Sequence, residues 1–241
     1  MKPNPYSSYR VLTFFIIDQP LDVVVEAWWH DFVVRKRDFS DVPQRLIDAL
    51  QLDKGEDISK WACRRQVPFD LGWAYRVRPT EVANSALFWQ PCNAPGYTAV
   101  MVNSSDGHPT FFASSFPFRD WHFFWTFIDD VNPEQSVCRF QFTRDHEAVY
   151  REVWAGREND EESKARWRFD RCGPVQPFEK PNNYRAARVQ DRLTRSIVGS
   201  YCSRLGCDIA SDRFWMSEIP AWVVWRNVKG DFPDPPFHAA Q

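Results

Sequence analysis

Two kinds of hydrophobic pattern run along the chain and separate its middle from its two ends. In the middle, short β-branched and aromatic runs alternate with Pro, Gly, Asn and Asp, whereas apolar positions at helical spacing occur near both ends. The runs that predict strands are residues 9–17, 73–77, 85–89, 97–102, 110–114, 137–143, 148–154 and 165–169. The pattern therefore predicts an α+β protein with a mostly antiparallel central sheet, helices at the N-terminal end and one long helix near the C-terminus.

The predicted helices have recognisable starts and apolar faces. Asp18, Gln19 and Pro20 open the first helix. Its buried face comprises Leu21, Val24, Val25, Trp28 and Phe32. A second, short helix is expected after Ser40 and Asp41. Near the C-terminus, Asn182 or Asn183 is the expected cap, and Gly206 suits the position just past the helix end. The apolar stripe of that helix is Val189, Leu193, Ile197, Tyr201 and Leu205.

Three further segments complete the expected architecture. Residues 119–127 fit either a strand or a buried helix, because periodicity does not separate the two over so short an apolar run. Residues 156–164 are highly charged and predict the loop of a hairpin, and 214–215 and 221–228 predict two last strands. We expect one domain over residues 1–230, followed by a Pro-rich tail at 231–241.

The composition and net charge of the chain argue against some classes of partner. The 241 residues include 12 Trp and 20 Phe but only 9 Gly, and the formal net charge is -2. The acidic balance argues against nucleic acid as the partner, since a nucleic-acid footprint normally needs a basic surface. Neither a secretory signal nor a membrane-length apolar stretch is present in this sequence, which predicts a cytoplasmic protein without a membrane partner.

The spacing of the cysteines does not match a metal-binding motif. The six cysteines are Cys63, Cys92, Cys138, Cys172, Cys202 and Cys207, and none of them forms a C-x-x-C pair. Their irregular spacing favours reduced, mostly buried thiols over disulfides.

Catalytic motifs are also missing from the sequence. Asp22, Glu26 and His30 share one helix face, but a solvated polar face explains them better than a metal site. Asp106 and Gly107, next to His108, are better explained as turn residues than as part of a hydrolase triad. We therefore predict no catalytic residue, no metal and no cofactor.

The sequence offers three sets of candidate partner-binding residues. Exposed Trp and Arg often dominate the energy of protein interfaces. The aromatic candidates are Trp29, Trp121 and Trp125; the acidic candidates, on the expected hairpin tip, are Glu158, Asp160, Glu161 and Glu162; the basic candidates are Arg188 and Arg192. Arg185 and Arg195 belong to the same basic run, in which Asp191 is placed one helical turn before Arg195.

The chain resembles bacterial immunity proteins in its general character. The stretch from Cys172 to Glu179, followed by residues 184–193, is similar to segments found in such antitoxin families. The resemblance implies a non-catalytic protein whose partner is a cognate toxin effector. Two alternatives remain. One is a hydrolase or transferase with a Trp-lined cleft that uses acidic residues and one or two of His30, His108, His122 and His146; the other is a carbohydrate or small-ligand binding module.

Overall fold

A computed structural model describes residues 4–8, 11–29, 62–71, 84–102, 123–129, 136–144, 149–159 and 165–226. Within these ranges the α-helices are α1 (Pro5–Ser8), α2 (Leu21–Trp29) and α3 (Arg195–Arg204). The strands are β1 (Val11–Ile17), β2 (Ala62–Val67), β3 (Asn84–Trp89), β4 (Thr98–Val102), β5 (Phe123–Asp129), β6 (Val137–Arg144), β7 (Val149–Asn159), β8 (Ala165–Cys172) and β9 (Ala221–Arg226). Short 3-10 helices lie at Pro181–Arg185, Val189–Asp191 and Asp212–Trp215.

All nine described strands belong to one antiparallel sheet. Their order is β2-β9-β3-β4-β1-β5-β6-β7-β8, and each neighbouring pair is antiparallel. From β5 to β8 the strands form the expected meander, while β9 returns from the C-terminal part of the chain to pair between β2 and β3. The predicted α+β class is confirmed.

The sheet is buried on both faces around β1. Successive residues of a strand point to opposite faces, and β1 accordingly places Phe14 in one apolar cluster and Phe15 in another. The larger cluster packs the sheet against the C-terminal segment, residues 178–215, and the smaller cluster packs it against α2. Trp89 is fully buried in the larger cluster, where its indole N–H donates to the carbonyl of Phe214 at 2.9 Å.

Helix α2 covers its face of the sheet as the sequence predicts. Leu21, Val24, Val25 and Trp28 are buried, whereas Asp22 and Glu26 are exposed. The ring of Trp28 meets that of Phe88 on β3 with the centroids 5.7 Å apart. His30 and Phe32 lie outside the described residues, as do the expected helix after residue 41, the expected strands at 73–77 and 110–114, and the tail at 231–241.

The helix near the C-terminus is confirmed, with a later α-helical start than the expected cap. Thr194, rather than Asn182 or Asn183, caps α3 by accepting from the backbone N–H of Ile197 at 3.4 Å. The preceding turn is 3-10 in geometry, so Asp191 pairs with Arg188 at 2.7 Å instead of with Arg195. Gly206 has φ +94, the left-handed conformation expected just past a helix end.

Several other segments differ from expectation. The expected strand at Phe214 and Trp215 is a 3-10 helix that buries both neighbouring rings, which an alternating strand would separate. Strand β7 continues through Asn159 into the expected loop, and within it Gly156 lies so close to Val137 that a Cβ would come within 3.1 Å of it. Residues 123–129 form a strand rather than a helix, and β2 was not predicted.

A buried ion pair ties the C-terminal segment to the sheet. Arg151 of β7 donates from Nε and Nη2 to the two carboxylate oxygens of Glu179, at 2.8 and 2.7 Å. The two side chains are 1% and 0% exposed. Arg151 also donates to the carbonyls of Cys172 and Gly173, at 3.3 and 2.8 Å. A bidentate, fully buried ion pair of this kind is strongly directional.

Two tyrosines complete the network around Glu179. The hydroxyl of Tyr184 donates to the Glu179 carboxylate, so the hydroxyl of Tyr201, 2.9 Å away, donates to Tyr184. Burial, followed by the hydrogen bond with Glu179, raises the pKa of Tyr184 well above its usual range, and burial raises the pKa of Tyr201. Both phenols therefore keep their protons at neutral pH and remain donors, which keeps the buried carboxylate satisfied.

We expect Glu179→Ala to lower the free energy of unfolding by about 3–5 kcal/mol, because it leaves the Arg151 guanidinium buried without its counter-charge. Asp191→Ala is the matched control: it breaks an exposed ion pair whose arginine side chain is 73% exposed, and should cost less than about 1 kcal/mol. Urea denaturation measures both. Equal losses in the two variants would contradict a structural role for the buried pair.

Gly173 fixes where the chain leaves β8. Its φ is +80, and a Cβ at this position would lie 1.8 Å from the carbonyl oxygen of Tyr150. We expect Gly173→Ala to destabilise the protein by more than about 2 kcal/mol, since left-handed strain alone costs about 1–3 kcal/mol. Gly96→Ala, with nothing within 4 Å, should change stability by less than about 1 kcal/mol. Thermal denaturation of both variants tests this, and a tolerated Gly173→Ala would refute it.

Candidate functional site

A cluster of Trp and Arg lies where α2 meets the β2 edge of the sheet. Arg64 comes from β2, Trp222 from the neighbouring strand β9, and Trp29 from the last residue of α2. Arg64 pairs in register with Val224, so Trp222 is its diagonal neighbour two residues along β9. We call Trp29, Arg64, Trp222 and the adjacent Glu26 the Arg64 cluster.

The two indole rings flank the guanidinium of Arg64. Its central carbon lies 4.9 Å from the ring centroid of Trp29 and 5.6 Å from that of Trp222. Both distances fall in the range of cation–π attraction, which holds a planar guanidinium against the ring faces. Both tryptophans are half-buried against the smaller apolar cluster. The two rings therefore hold the Arg64 guanidinium in place and leave part of it accessible to solvent.

Glu26 balances the charge of Arg64 on its exposed side. Nη1 of Arg64 donates to Oε1 of Glu26 at 2.6 Å, and the side chains are 26% and 62% exposed. A guanidinium has five N–H donors, so this hydrogen bond leaves donors available to a carboxylate or carbonyl of an incoming molecule. The cluster presents what protein interfaces favour: rigid aromatic surface around an oriented arginine.

An open cleft of about 410 Å³ adjoins the Arg64 cluster. It is lined by Gln66, Val67, Pro68, Phe69, Ser217, Glu218, Ile219 and Pro220. Gln66 stands opposite Trp222 in the sheet register, which makes the cleft and the cluster neighbours. Ile219 and the nearby Met216 are 43% and 54% exposed, and they are two of the four large exposed hydrophobic residues in the described ranges. Apolar surface of this kind often marks a contact site.

Of the predicted aromatic residues, only Trp29 is placed in this cluster. Trp125 lies on β5 in the interior of the sheet, where its backbone stands between Phe15 and Gln141. Trp121 lies outside the described residues. Glu158 belongs to strand β7, opposite Arg166, rather than to a loop, and Asp160, Glu161 and Glu162 are outside the described ranges.

The two predicted arginines lie at the opposite edge of the sheet. Arg188 is exposed and paired with Asp191. Arg192 is half-buried, donates from Nε to the carbonyl of Ala186 at 3.0 Å, and places its guanidinium 5.7 Å from the ring of Phe169 on β8. The structure thus separates Trp29 from Arg188 and Arg192, and the partner-binding roles of all three remain predictions.

Arg64 and the cleft were missed from the sequence. The run Ala62–Val67 carries two adjacent arginines and a glutamine, so it lacks the apolar alternation by which strands are recognised. Its place at the end of the described sheet order explains this composition, because edge strands tolerate charge. The two Trp residues of β9 helped to predict that strand, but nothing in the sequence indicated that β2 pairs with it.

The histidines of the catalytic alternative, His30, His108, His122 and His146, lie outside the described residues. In the part of the chain that the structure describes, no group of three His, Cys, Asp or Glu side chains is arranged to hold a metal ion.

Comparison with known proteins gave no relative. The chain matches no protein-family model, no curated protein and no solved structure. Among the described helices, none has the length and apolar character needed to cross a membrane.

The described thiols differ sharply in accessibility. None of Cys92, Cys138, Cys172, Cys202 and Cys207 is in a disulfide, as predicted. Cys172 is exposed, whereas burial holds the pKa of both Cys202 and Cys207 well above its ordinary value. A raised pKa keeps a thiol protonated and unreactive.

We therefore expect a maleimide to modify Cys172 rapidly in the native protein and to leave Cys202 and Cys207 unmodified, even when the pH is raised from 7 to 9. Peptide mass spectrometry before and after denaturation measures this, with Cys172→Ser as the control. Native-state labelling of Cys202 or Cys207 as fast as that of Cys172 would show the α3 packing to be wrong.

Proposed function

We propose that this protein is a non-catalytic binding protein that acts as an immunity protein: it binds a cognate toxin effector and neutralises it. The Arg64 cluster carries the proposal, because it is a positioned arginine between two half-buried tryptophans at the surface. The resemblance of the chain to immunity proteins supplies the class of partner.

The side chain of Arg64 is preorganised for binding. A flexible arginine loses side-chain entropy when it binds, and that loss offsets much of the gain. Arg64 is already held by two rings and by Glu26 before any partner arrives. A partner carboxylate can replace or join Glu26 and meet the guanidinium through paired N–H donors. The cluster therefore favours an acidic group at the centre of the contact.

The cleft beside the cluster adds an apolar component. Tight interfaces combine central anchors with surrounding contacts that exclude water. Phe69 and Ile219 line a cleft whose volume of about 410 Å³ is large enough for a side chain of the partner. A partner that presents an acidic residue next to an apolar one would fill both parts of the surface.

The deciding experiment begins with a pull-down by the tagged full-length protein from its native host, followed by mass spectrometry. We expect one stoichiometric partner that stops growth when expressed alone in a laboratory host, and growth restored by co-expression of the wild-type protein. Absence of a stoichiometric partner, or a partner without toxicity, would overturn the proposal.

Variants of the Arg64 cluster then test the surface itself. Hot-spot residues contribute about 2 kcal/mol or more, so Arg64→Ala should weaken partner binding about thirtyfold and abolish growth rescue. Arg144→Ala removes an exposed arginine at the end of β6 and should leave both readouts unchanged. Binding is measured by calorimetry with the purified partner, and unaltered affinity in Arg64→Ala would place the contact elsewhere on the protein.

A further inference from the structure

The charges of the chain are unevenly distributed. Residues 165–204 contain nine Lys or Arg and three Asp or Glu, a formal charge of +6. The whole chain carries -2, so the remaining residues carry -8. A protein that is acidic overall thus concentrates basic groups in one continuous segment, which comprises β8, α3 and the residues between them, 173–194, which we call the connector.

The acidic residues of that segment do little to offset its surface charge. Glu179 is buried and neutralised by Arg151, which comes from outside the segment. Asp191 is engaged by Arg188. Only Asp170 is an exposed carboxylate that neither contact occupies, and it lies on β8. Within the segment, therefore, few exposed carboxylates stand beside the exposed arginines Arg171, Arg185 and Arg188.

Two packed aromatic rings each contact the guanidinium of one arginine. The guanidinium of Arg171 lies 5.7 Å from the ring of Tyr184, whose ring is 5.3 Å from that of Phe169. Phe169 in turn is 5.7 Å from the guanidinium of Arg192. The row Arg171, Tyr184, Phe169, Arg192 fastens the 3-10 helices to β8.

Two exposed arginines extend this row. Arg185 directly follows Tyr184; Arg188 directly precedes the 3-10 helix Val189–Asp191, and Arg192 directly follows it. We call Arg171, Arg185, Arg188 and Arg192 the basic ridge. The ridge belongs to the β8 edge of the sheet, whereas the Arg64 cluster belongs to the β2 edge. The two edge strands stand at opposite ends of the described strand order, with seven strands between them, so the two surfaces share no strand.

We propose that the basic ridge is a second docking surface, which binds an acidic polypeptide segment. Arginine forks match carboxylates in paired hydrogen bonds, and those of Arg171 and Arg192 are already oriented by ring stacking. Charge complementarity of this kind speeds encounter between proteins and selects the partner. The inference goes beyond the proposed function and does not depend on it.

An acidic polypeptide fits the ridge better than nucleic acid does. Surfaces that bind single strands offer aromatic faces on which bases stack. Here Tyr184 is only 7% exposed, and the ring of Phe169 lies against both Tyr184 and Arg192.

A labelled twelve-residue polyglutamate peptide and a labelled oligothymidylate of equal length are the probes. We expect the full-length protein to bind polyglutamate more tightly than oligothymidylate in fluorescence anisotropy at low salt. The variant Arg185→Glu/Arg188→Glu should weaken polyglutamate binding at least about tenfold, since it reverses charge at two exposed sites.

The matched control is Arg144→Glu/Arg213→Glu, which makes the same change in net charge at exposed sites away from the ridge and should alter the affinity less than about twofold. Thermal denaturation confirms that both variants fold. Tighter binding of oligothymidylate, equal losses in the two variants, or no binding of polyglutamate would each overturn the proposal. Arg64→Ala should leave polyglutamate binding unchanged, which keeps this result separate from that of the toxin-binding proposal. A loss in Arg64→Ala as large as that in the ridge variant would place the peptide on the Arg64 cluster and overturn the proposal.

Discussion

The ion pair between Arg151 and Glu179 is the contact on which the C-terminal part of the structure depends. It joins the middle of β7 to the connector that follows β8, and the carbonyls of Cys172 and Gly173 accept further hydrogen bonds from the same guanidinium. An ion pair buried this deeply stabilises the fold little more than a well-packed apolar pair would, yet removing one of its partners is strongly destabilising. The pair therefore acts as a constraint, which fixes one path for the connector and with it the position of α3.

The same residue type has two different roles at opposite ends of the sheet. Arg151 is buried, and its partners are carboxylate and backbone oxygens, so its contacts are complete within the protein. Arg64 is 26% exposed and is held mainly by two rings and one exposed carboxylate. A guanidinium with complete contacts stabilises a fold, whereas one that is oriented but incompletely satisfied at the surface is available for binding. This contrast separates the structural arginine from the candidate functional one.

How far the sequence predicts this molecule depends on whether the deciding contacts are local. The β-branched and aromatic run of β1 and the apolar face of α2 are local patterns, and the strand and the helix that they predict are both present. The site at Arg64 depends on β2 pairing with β9, more than 150 residues away, and the polar composition of an edge strand gives no sign of that pairing. The 3-10 turns before α3 were missed in the same way: Tyr184, in the first of them, hydrogen-bonds to the buried Glu179, and the sequence gives no sign of that contact.

The central claim is that the surface around Arg64 is where this protein meets its partner. Hydrogen–deuterium exchange of the complex, compared with the free protein, tests it most directly, because exchange reports each segment separately. The account predicts that binding slows exchange in α2, β2 and the segment 217–224, while the β6 strand remains unchanged. Slowed exchange confined to other segments, with α2 and β2 unaffected, would contradict it.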